Sequence, residues 1–266
     1  LAAVPGSRII RGVGSLQNMS PPRRVSILGV PVDCVDMSTA LATVDDMVRG
    51  PRPQTIVAVN PEKVVKAQGD PVLRDTLHGA GLLIPDGIGV VLAVRMLWHQ
   101  HIARVPGAEL MPAICGLAAQ RGYRLFMFGA SPEVNKQAVA VLRQQYPGIQ
   151  IVGHRDGYVR EADMPALVDE INGSEAQILF IALGSPRQEL WMDSWLPALK
   201  HVRVCQGVGG TFDVIAGRVR RAPAMFRHIH LEWFYRLITE PKRAIRQLSL
   251  PRFVYQVCRE KLFGNS

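Results

Sequence analysis

From Val25 onward, short apolar runs alternate with stretches of helical periodicity. The runs fall at residues 25–28, 55–59, 82–84, 125–128, 149–152, 178–182 and 202–206, and most contain no polar interruption. A strand covered on one face alternates apolar with polar, whereas one covered on both faces does not, so these runs predict doubly buried strands. Helix starts lie between them. Ser38 precedes one helix, and Asp70-Pro71 and Ser131-Pro132 each place a capping side chain before a proline at the first helical position. The alternation predicts an α/β fold: a Rossmann-like, mainly parallel sheet with helices on both faces, formed by residues 25–216.

The flanks read differently. Residues 1–24 mix Gly, Pro, Ser and Arg without a period and predict a flexible leader, with none of the continuous apolar core of a secretory signal. After Gly217 the pattern is helical only. Leu231, Phe234, Tyr235 and Ile238 form one stripe, with Glu232, Arg236 and Glu240 facing away. Leu250, Phe253, Val254 and Val257 form a second, opposed by Arg252 and Arg259. Residues 217–266 therefore predict an amphipathic, all-helical appendage. The longest apolar stretch, residues 80–98, is broken by Pro85, Asp86 and Arg95 and does not read as a membrane span.

Composition narrows the class. With 48% hydrophobic and 20% charged residues in 266, the chain is globular, not disordered, collagenous or a disulfide scaffold. Cys34, Cys115, Cys205 and Cys258 are far apart, which suits a reducing cytosol better than a zinc knuckle or a secreted framework. The net charge of +9 is concentrated at one end: residues 217–266 hold 11 basic and 3 acidic side chains, the rest 20 and 19. Seven of the 17 aromatic residues share that segment. A near-neutral body with a basic, aromatic tail predicts a polyanionic partner, whether nucleic acid, anionic lipid or a phosphorylated substrate.

Parallel sheets bind ligands at the carboxyl ends of their strands, so the loops there carry the candidate chemistry. Asp86, in Pro85-Asp86-Gly87-Ile88-Gly89, is either a helix cap or a carboxylate able to take a proton from a substrate hydroxyl. Asn60-Pro61-Glu62 follows the second run. Gly129-Ala130-Ser131-Pro132 and Gly184-Ser185-Pro186-Arg187-Gln188-Glu189 each put small residues and a proline at a helix start. Amides left free there suit an anion, and turn chemistry explains the composition equally well. Gln188 and Glu189 show no packing role in the sequence. His154-Arg155-Asp156-Gly157-Tyr158 reads as a loop carrying an aromatic residue able to stack on a base. Gly207, Gly209, Gly210 and Asp213 follow the last run, but the full G-x-G-x-x-G spacing and a later strand bearing a ribose-binding acid are missing, which weighs against a nicotinamide cofactor. D-x-D, H-E-x-x-H, G-x-S-x-G and P-loop motifs are absent.

In order along the chain, Asn60-x-Glu62, Asp86-Gly87-x-Gly89, Arg104-x-x-Gly107, Gly184-x-Pro186-x-Gln188-Glu189 and Gly207-x-Gly209-Gly210-x-x-Asp213 resemble one family, as do Arg221-Ala222-Pro223, Glu232-Trp233-x-Tyr235-Arg236 and Glu240-Pro241-x-Arg243. This is the WecG/TagA/CpsF family of bacterial glycosyltransferases, whose members include transferases of N-acetylmannosamine and of its uronic acid. The chain departs from the usual pattern at Ala58, Glu109 and Arg187, where Thr, Asp and Lys are common in the family.

The resemblance implies an inverting, metal-independent enzyme with no cofactor. It would move a hexose-type sugar from a UDP-sugar to an undecaprenyl-pyrophosphate-linked saccharide at the cytoplasmic face of the inner membrane. It implies Asp86 as base, Asn60, Arg104 and Gln188 as active-site residues, and Tyr158 and Asp213 on the nucleotide side. With no metal, amide-bearing turns at Gly129, Ser131, Gly157, Gly184, Pro186, Glu189, Gly209 and Gly210 and the tail arginines Arg221, Arg236, Arg243 and Arg246 are expected to meet the pyrophosphate. The tail is also expected to touch an anionic membrane surface, with a second copy of the chain as a further partner and no nucleic acid. The alternatives are a nucleic-acid-binding module, a nicotinamide-dependent oxidoreductase and a UDP-binding regulator.

Overall fold

Six of the seven apolar runs lie side by side in one parallel sheet. The structure is a computed structural model that describes residues 21–219 and 249–263. The first 20 residues of the expected leader, the 231–238 stripe and Arg221, Arg236, Arg243 and Arg246 lie outside the described residues.

The sheet comprises β3 (Gln54–Val59), β4 (Leu82–Pro85), β5 (Arg124–Gly129), β6 (Gln150–Arg155), β7 (Ile178–Ala182) and β8 (Val204–Gly207). Its order is β4-β3-β8-β7-β5-β6, with every pair parallel. The α/β fold read from the sequence is present, with boundaries moved by up to three residues. The largest shift is in β6, which extends to Arg155, so His154 and Arg155 are strand residues and not loop.

Both faces are covered. On one, Val57, Val59, Leu83, Leu179, Ile181 and Cys205 share a core with α2 (Pro61–Ala67), α3 (Pro71–Gly79), α4 (Ile88–Trp98), α7 (Met164–Gly173) and α8 (Arg187–Trp195). On the other, Ile56, Ile84, Met127, Phe180 and Val204 pack with α1 (Met37–Arg49), α5 (Gly107–Arg121), α6 (Pro132–Gln145) and α9 (Thr211–Ile215). Strand neighbours alternate between the two cores, which is why the runs show no polar period. Each such side chain contributes about 1.5–3 kcal/mol through burial.

The seventh run is the first strand of a hairpin. β1 (Arg24–Ile27) pairs antiparallel with β2 (Val30–Asp33), a strand not predicted, and forms a separate two-stranded sheet. Its turn places Leu28 at φ 51° and Gly29 at φ 77°. Leucine rarely signals such a turn, so the hairpin is hidden in the sequence. Buried Asp33 holds Arg24 through bonds of 2.7 and 2.9 Å and accepts the Leu83 N–H at 2.8 Å, fastening the hairpin to β4.

The next helix is capped by Asp36, whose carboxylate accepts the Thr39 N–H at 2.7 Å, and Ser38 lies inside it. The helix α10 (Ser249–Phe263) lies on α2 and α4. Phe253 and Val257 enter the first core, while Val254, placed on the same stripe by the sequence, faces outward at 57% exposure. The carboxylate of Glu260 accepts the Leu28 N–H at 3.0 Å, so this helix also holds the hairpin turn.

Candidate active site

The carboxyl ends of the strands gather the predicted loops along one edge. In sheet order, Asp86 follows β4, Asn60 follows β3, and Gly209 and Gly210 follow β8. Gly184 and Pro186 follow β7, Ser131 lies beyond β5, which ends at Gly129, and Gly157 and Tyr158 follow β6. Helices α5, α6 and α8 begin at this edge, and their positive dipole ends favour a negatively charged ligand there.

Asp86 is half-buried, and its own N–H donates to the Val59 carbonyl at 2.8 Å, tying it to β3 as well as β4. Gly87, at φ 101°, is the N-cap of α4, so Asp86 stands one residue ahead of the cap position. The Val105 N–H donates to the Pro85 carbonyl at 2.9 Å, which brings the loop bearing half-buried Arg104 against the end of β4. One backbone bond thus sets Asp86 and Arg104 side by side along the chain path. Pro61 packs over the same loop: a Cβ on Gly89 would lie 2.8 Å from Pro61 Cγ and 3.8 Å from Phe253 Cε1. Helix α10 is therefore a neighbour of this edge.

A buried polar chain runs beneath. Asn60 caps α2, its Oδ1 accepting the Lys63 N–H at 2.8 Å, so what it offers a ligand is its donor end. Lys63 Nζ lies 2.7 Å from Glu189 Oε1, with the side chains 7% and 1% exposed. Gln188 Nε2 donates to the same oxygen at 3.2 Å, and Gln188 Oε1 accepts the Gly209 N–H at 3.0 Å. The sequence reading that Gln188 and Glu189 lack a packing role is corrected: both are buried, and they join α2, α8 and the glycine turn. Gly207 lacks a Cβ for the same reason, since one would collide with the Gln188 amide. Burial pushes the Glu189 carboxyl up, but the Lys63 ammonium and the bonds from Lys63 and Gln188 outweigh it and hold the group below the usual carboxylate range.

The other half of the edge is backbone zipped to backbone. Gly129, at φ 118°, lets β5 approach β7 so closely that a Cβ would lie 2.6 Å from Ala182 carbonyl atoms. The Ala130 N–H donates to the Ala182 carbonyl at 3.0 Å, and the Gly157 N–H to the Ala130 carbonyl at 2.8 Å. Tyr158 stands out from this shelf at 75% exposure. Ser131 caps α6 through the Val134 N–H at 3.3 Å, and half-buried Asp213 lies in the first turn of α9.

Two residues escaped the sequence reading, Lys63 of the buried pair and Gln206. Gln206, in the middle of β8, is 1% exposed, and neither Oε1 nor Nε2 meets a hydrogen-bond partner among the described residues. Leaving such a group unpaired costs about 1–3 kcal/mol. The available signal was a carboxamide inside a strand that is apolar on both faces.

Among the described residues, no three His, Cys, Asp or Glu side chains gather as a metal site, and no helix is long and apolar enough to cross a membrane. A sequence model of the Glycosyl transferase WecG/TagA/CpsF family matches residues 25–266. An N-acetylglucosaminyldiphosphoundecaprenol N-acetyl-beta-D-mannosaminyltransferase of Bacillus spizizenii is 36% identical over 206 residues, covering 77% of this chain and 79% of that protein.

Proposed function

The chain belongs to the WecG/TagA/CpsF family of glycosyl transferases, and on that premise we propose that it moves a hexose-type sugar from a UDP-sugar to an undecaprenyl-pyrophosphate-linked saccharide. The transfer inverts the anomeric centre and uses no metal ion. The similar Bacillus protein is named for an undecaprenol-diphosphate acceptor and an N-acetylmannosaminyl group, which supports this substrate class.

The observation that carries the reading is the half-buried Asp86 carboxylate beside the Arg104 loop, at the end of a parallel sheet ringed by helix N-termini. The acceptor hydroxyl oxygen forms a bond to the anomeric carbon while the bond from that carbon to the β-phosphate oxygen breaks. Asp86 takes the hydroxyl proton, and UDP leaves with the bonding electron pair. Arg104, the helix N-termini and the arginines Arg221, Arg236, Arg243 and Arg246 stabilise the departing charge. The Gly129–Gly157 shelf holds the pyrophosphate side, Tyr158 stacks on the base, and Asp213 faces the ribose. Gln188 positions the Gly209 turn, and Asn60 offers its amide nitrogen to the acceptor.

We assign residues 25–216 to the catalytic core and 217–266 to a segment that completes the site and meets the membrane. Two facts support this division of labour. Phe253 lies against the Asp86–Gly89 loop, and the outward face of α10 combines exposed Val254, Tyr255, Leu262 and Phe263 with Arg252, Arg259 and Lys261. Each basic residue near an anionic surface contributes about 1 kcal/mol to binding, enough together for peripheral attachment at the cytoplasmic face.

The test is a screen of UDP-sugars against short-chain polyprenyl-pyrophosphate saccharides, read by mass spectrometry with the product anomer assigned by NMR. Transfer with inversion and undiminished turnover in EDTA is expected. Retention, or a strict metal requirement, overturns the mechanism, and absence of transfer from every UDP-sugar overturns the substrate class.

A further inference from the structure

Helix α4, which starts two residues after Asp86, is apolar on its inward and its outward face. Val90, Ala93 and Val94 enter the first core. Outward lie Leu92, Met96 and Trp98, 51%, 41% and 44% exposed, and Arg95 is the helix's one charged residue. The indole N–H of Trp98 already donates to the Ser26 carbonyl at 2.7 Å, so what the ring shows to solvent is apolar. A surface helix normally turns polar residues outward, and one that is apolar all round is normally covered. The 11 residues of α4 span about 16 Å, about half the hydrocarbon thickness of a bilayer, so this helix can lie in a membrane surface but not cross it.

Helix α10 extends this surface. A Cβ on Gly89 would lie 3.8 Å from Phe253 Cε1 near the start of both helices, and Lys261 Nζ meets His99 Nε2 at 3.1 Å just past the end of α4. The two helices therefore run side by side in the same direction, and their exposed faces adjoin. Arg95, Arg252, Arg259 and Lys261 are exposed along the pair, whereas the one acid on either helix, Glu260, is engaged by the Leu28 N–H. We propose that the outer face of α4 rests on an anionic lipid surface beside α10, so that the core, and not the C-terminal segment alone, sets the height of Asp86 above the bilayer. Symmetric pairing of two copies through this face would bring the same four cations together. Anionic headgroups instead neutralise them, and the acyl boundary takes the apolar side chains.

The proposal deepens the membrane role assigned above and rests on the transfer reading only for its catalytic meaning. The test uses the full chain labelled with 13C-methyl methionine, the Met96 signal being assigned by its loss in Met96→Leu. Without lipid, a soluble gadolinium chelate should broaden that signal. In nanodiscs of phosphatidylglycerol and phosphatidylethanolamine the chelate should lose its effect, and a doxyl-labelled lipid should broaden Met96 while leaving the buried Met111 and Met127 sharp. The double variant Leu92→Ser, Met96→Ser should lower flotation with vesicles of the same lipids at least about tenfold. Tyr255→Ser with Phe263→Ser in α10 should do the same, and phosphatidylcholine vesicles should bind the wild type weakly.

A Met96 methyl shielded from the chelate before lipid is added, or untouched by the doxyl lipid, overturns the proposal. So does flotation equal to wild type in the α4 variant, and if the α10 variant alone loses flotation, attachment through the C-terminal segment stands without α4. Sedimentation separates the remaining occupant: wild type and α4 variant should have the same mass without lipid. A wild-type dimer dissociated by the two serines would make this face a subunit contact and overturn the lipid assignment. Broadening of Met96 by the doxyl lipid without transfer from any UDP-sugar overturns only the reaction assigned above.

Discussion

Lys63 and Glu189, 126 residues apart, meet at 2.7 Å in the floor of the candidate site, with almost no exposure to solvent. Through Gln188 the same carboxylate is linked to the Gly209 turn, and through its helix Lys63 is linked to Asn60. A charge pair removed from water contributes little net stability when intact, yet losing one partner strands the other. The pair therefore works as a registration pin that fixes two loops of the candidate site relative to each other.

Lys63→Met should cost about 3–5 kcal/mol at neutral pH because Glu189 is left buried and ionised. The sign with pH follows from the carboxyl. In the wild type its folded-state value is held below 4.5, so its contribution is present above that pH and fades as acid protonates the folded form. Without Lys63, burial raises the carboxyl instead, and protonation relieves the variant. Urea unfolding should show the gap between the two proteins widest near pH 7 and narrower near pH 4.

Asp86→Asn should lower kcat by at least about 100-fold while UDP still binds, as measured by calorimetry beside a transfer assay. Near-normal turnover would remove Asp86 as the base.

The parallel sheet was legible because strands such as β7, buried at all five positions, leave no polar period to misread. The glycine turns, proline starts and Asp86 were legible because α/β chemistry sits at strand ends, and topology then collected them. What stayed hidden depends on distance along the chain. Leu28 occupies a turn normally signalled by Asn or Gly, and its N–H is met by Glu260 from 232 residues away. Glu189 looks like a surface helix residue until Lys63 arrives from another helix. Gln206 is inconspicuous in the sequence because it ends an apolar run and reads as a strand terminus.

Gly129→Ala should cost more than about 2 kcal/mol, since the new Cβ meets the Ala182 backbone at 2.6 Å and the residue sits at φ 118°. It should also weaken UDP affinity, because the Ala130–Gly157 shelf depends on that approach. A melting temperature and a UDP titration equal to wild type would count against the close packing described.

Glu260→Ala removes the acceptor of the Leu28 N–H and should destabilise the α10 attachment by about 1–3 kcal/mol. Hydrogen exchange should quicken in Leu28 and in Ser249–Phe263, with the central strands unaffected. Liposome flotation should weaken in parallel if the orientation of α10 matters for membrane contact.

The clasp between Glu260 and Leu28 also sets the order in which the molecule can mature. During synthesis the hairpin and the α2–α4 surface emerge long before the helix that covers them, and closing so large a loop is intrinsically slow. Until Phe253 and Val257 arrive, the groove they fill exposes aliphatic side chains to the cytosol, the kind of surface that invites chaperones and aggregation. The nascent chain thus reaches its finished core only when nearly the last turn of α10 has left the ribosome.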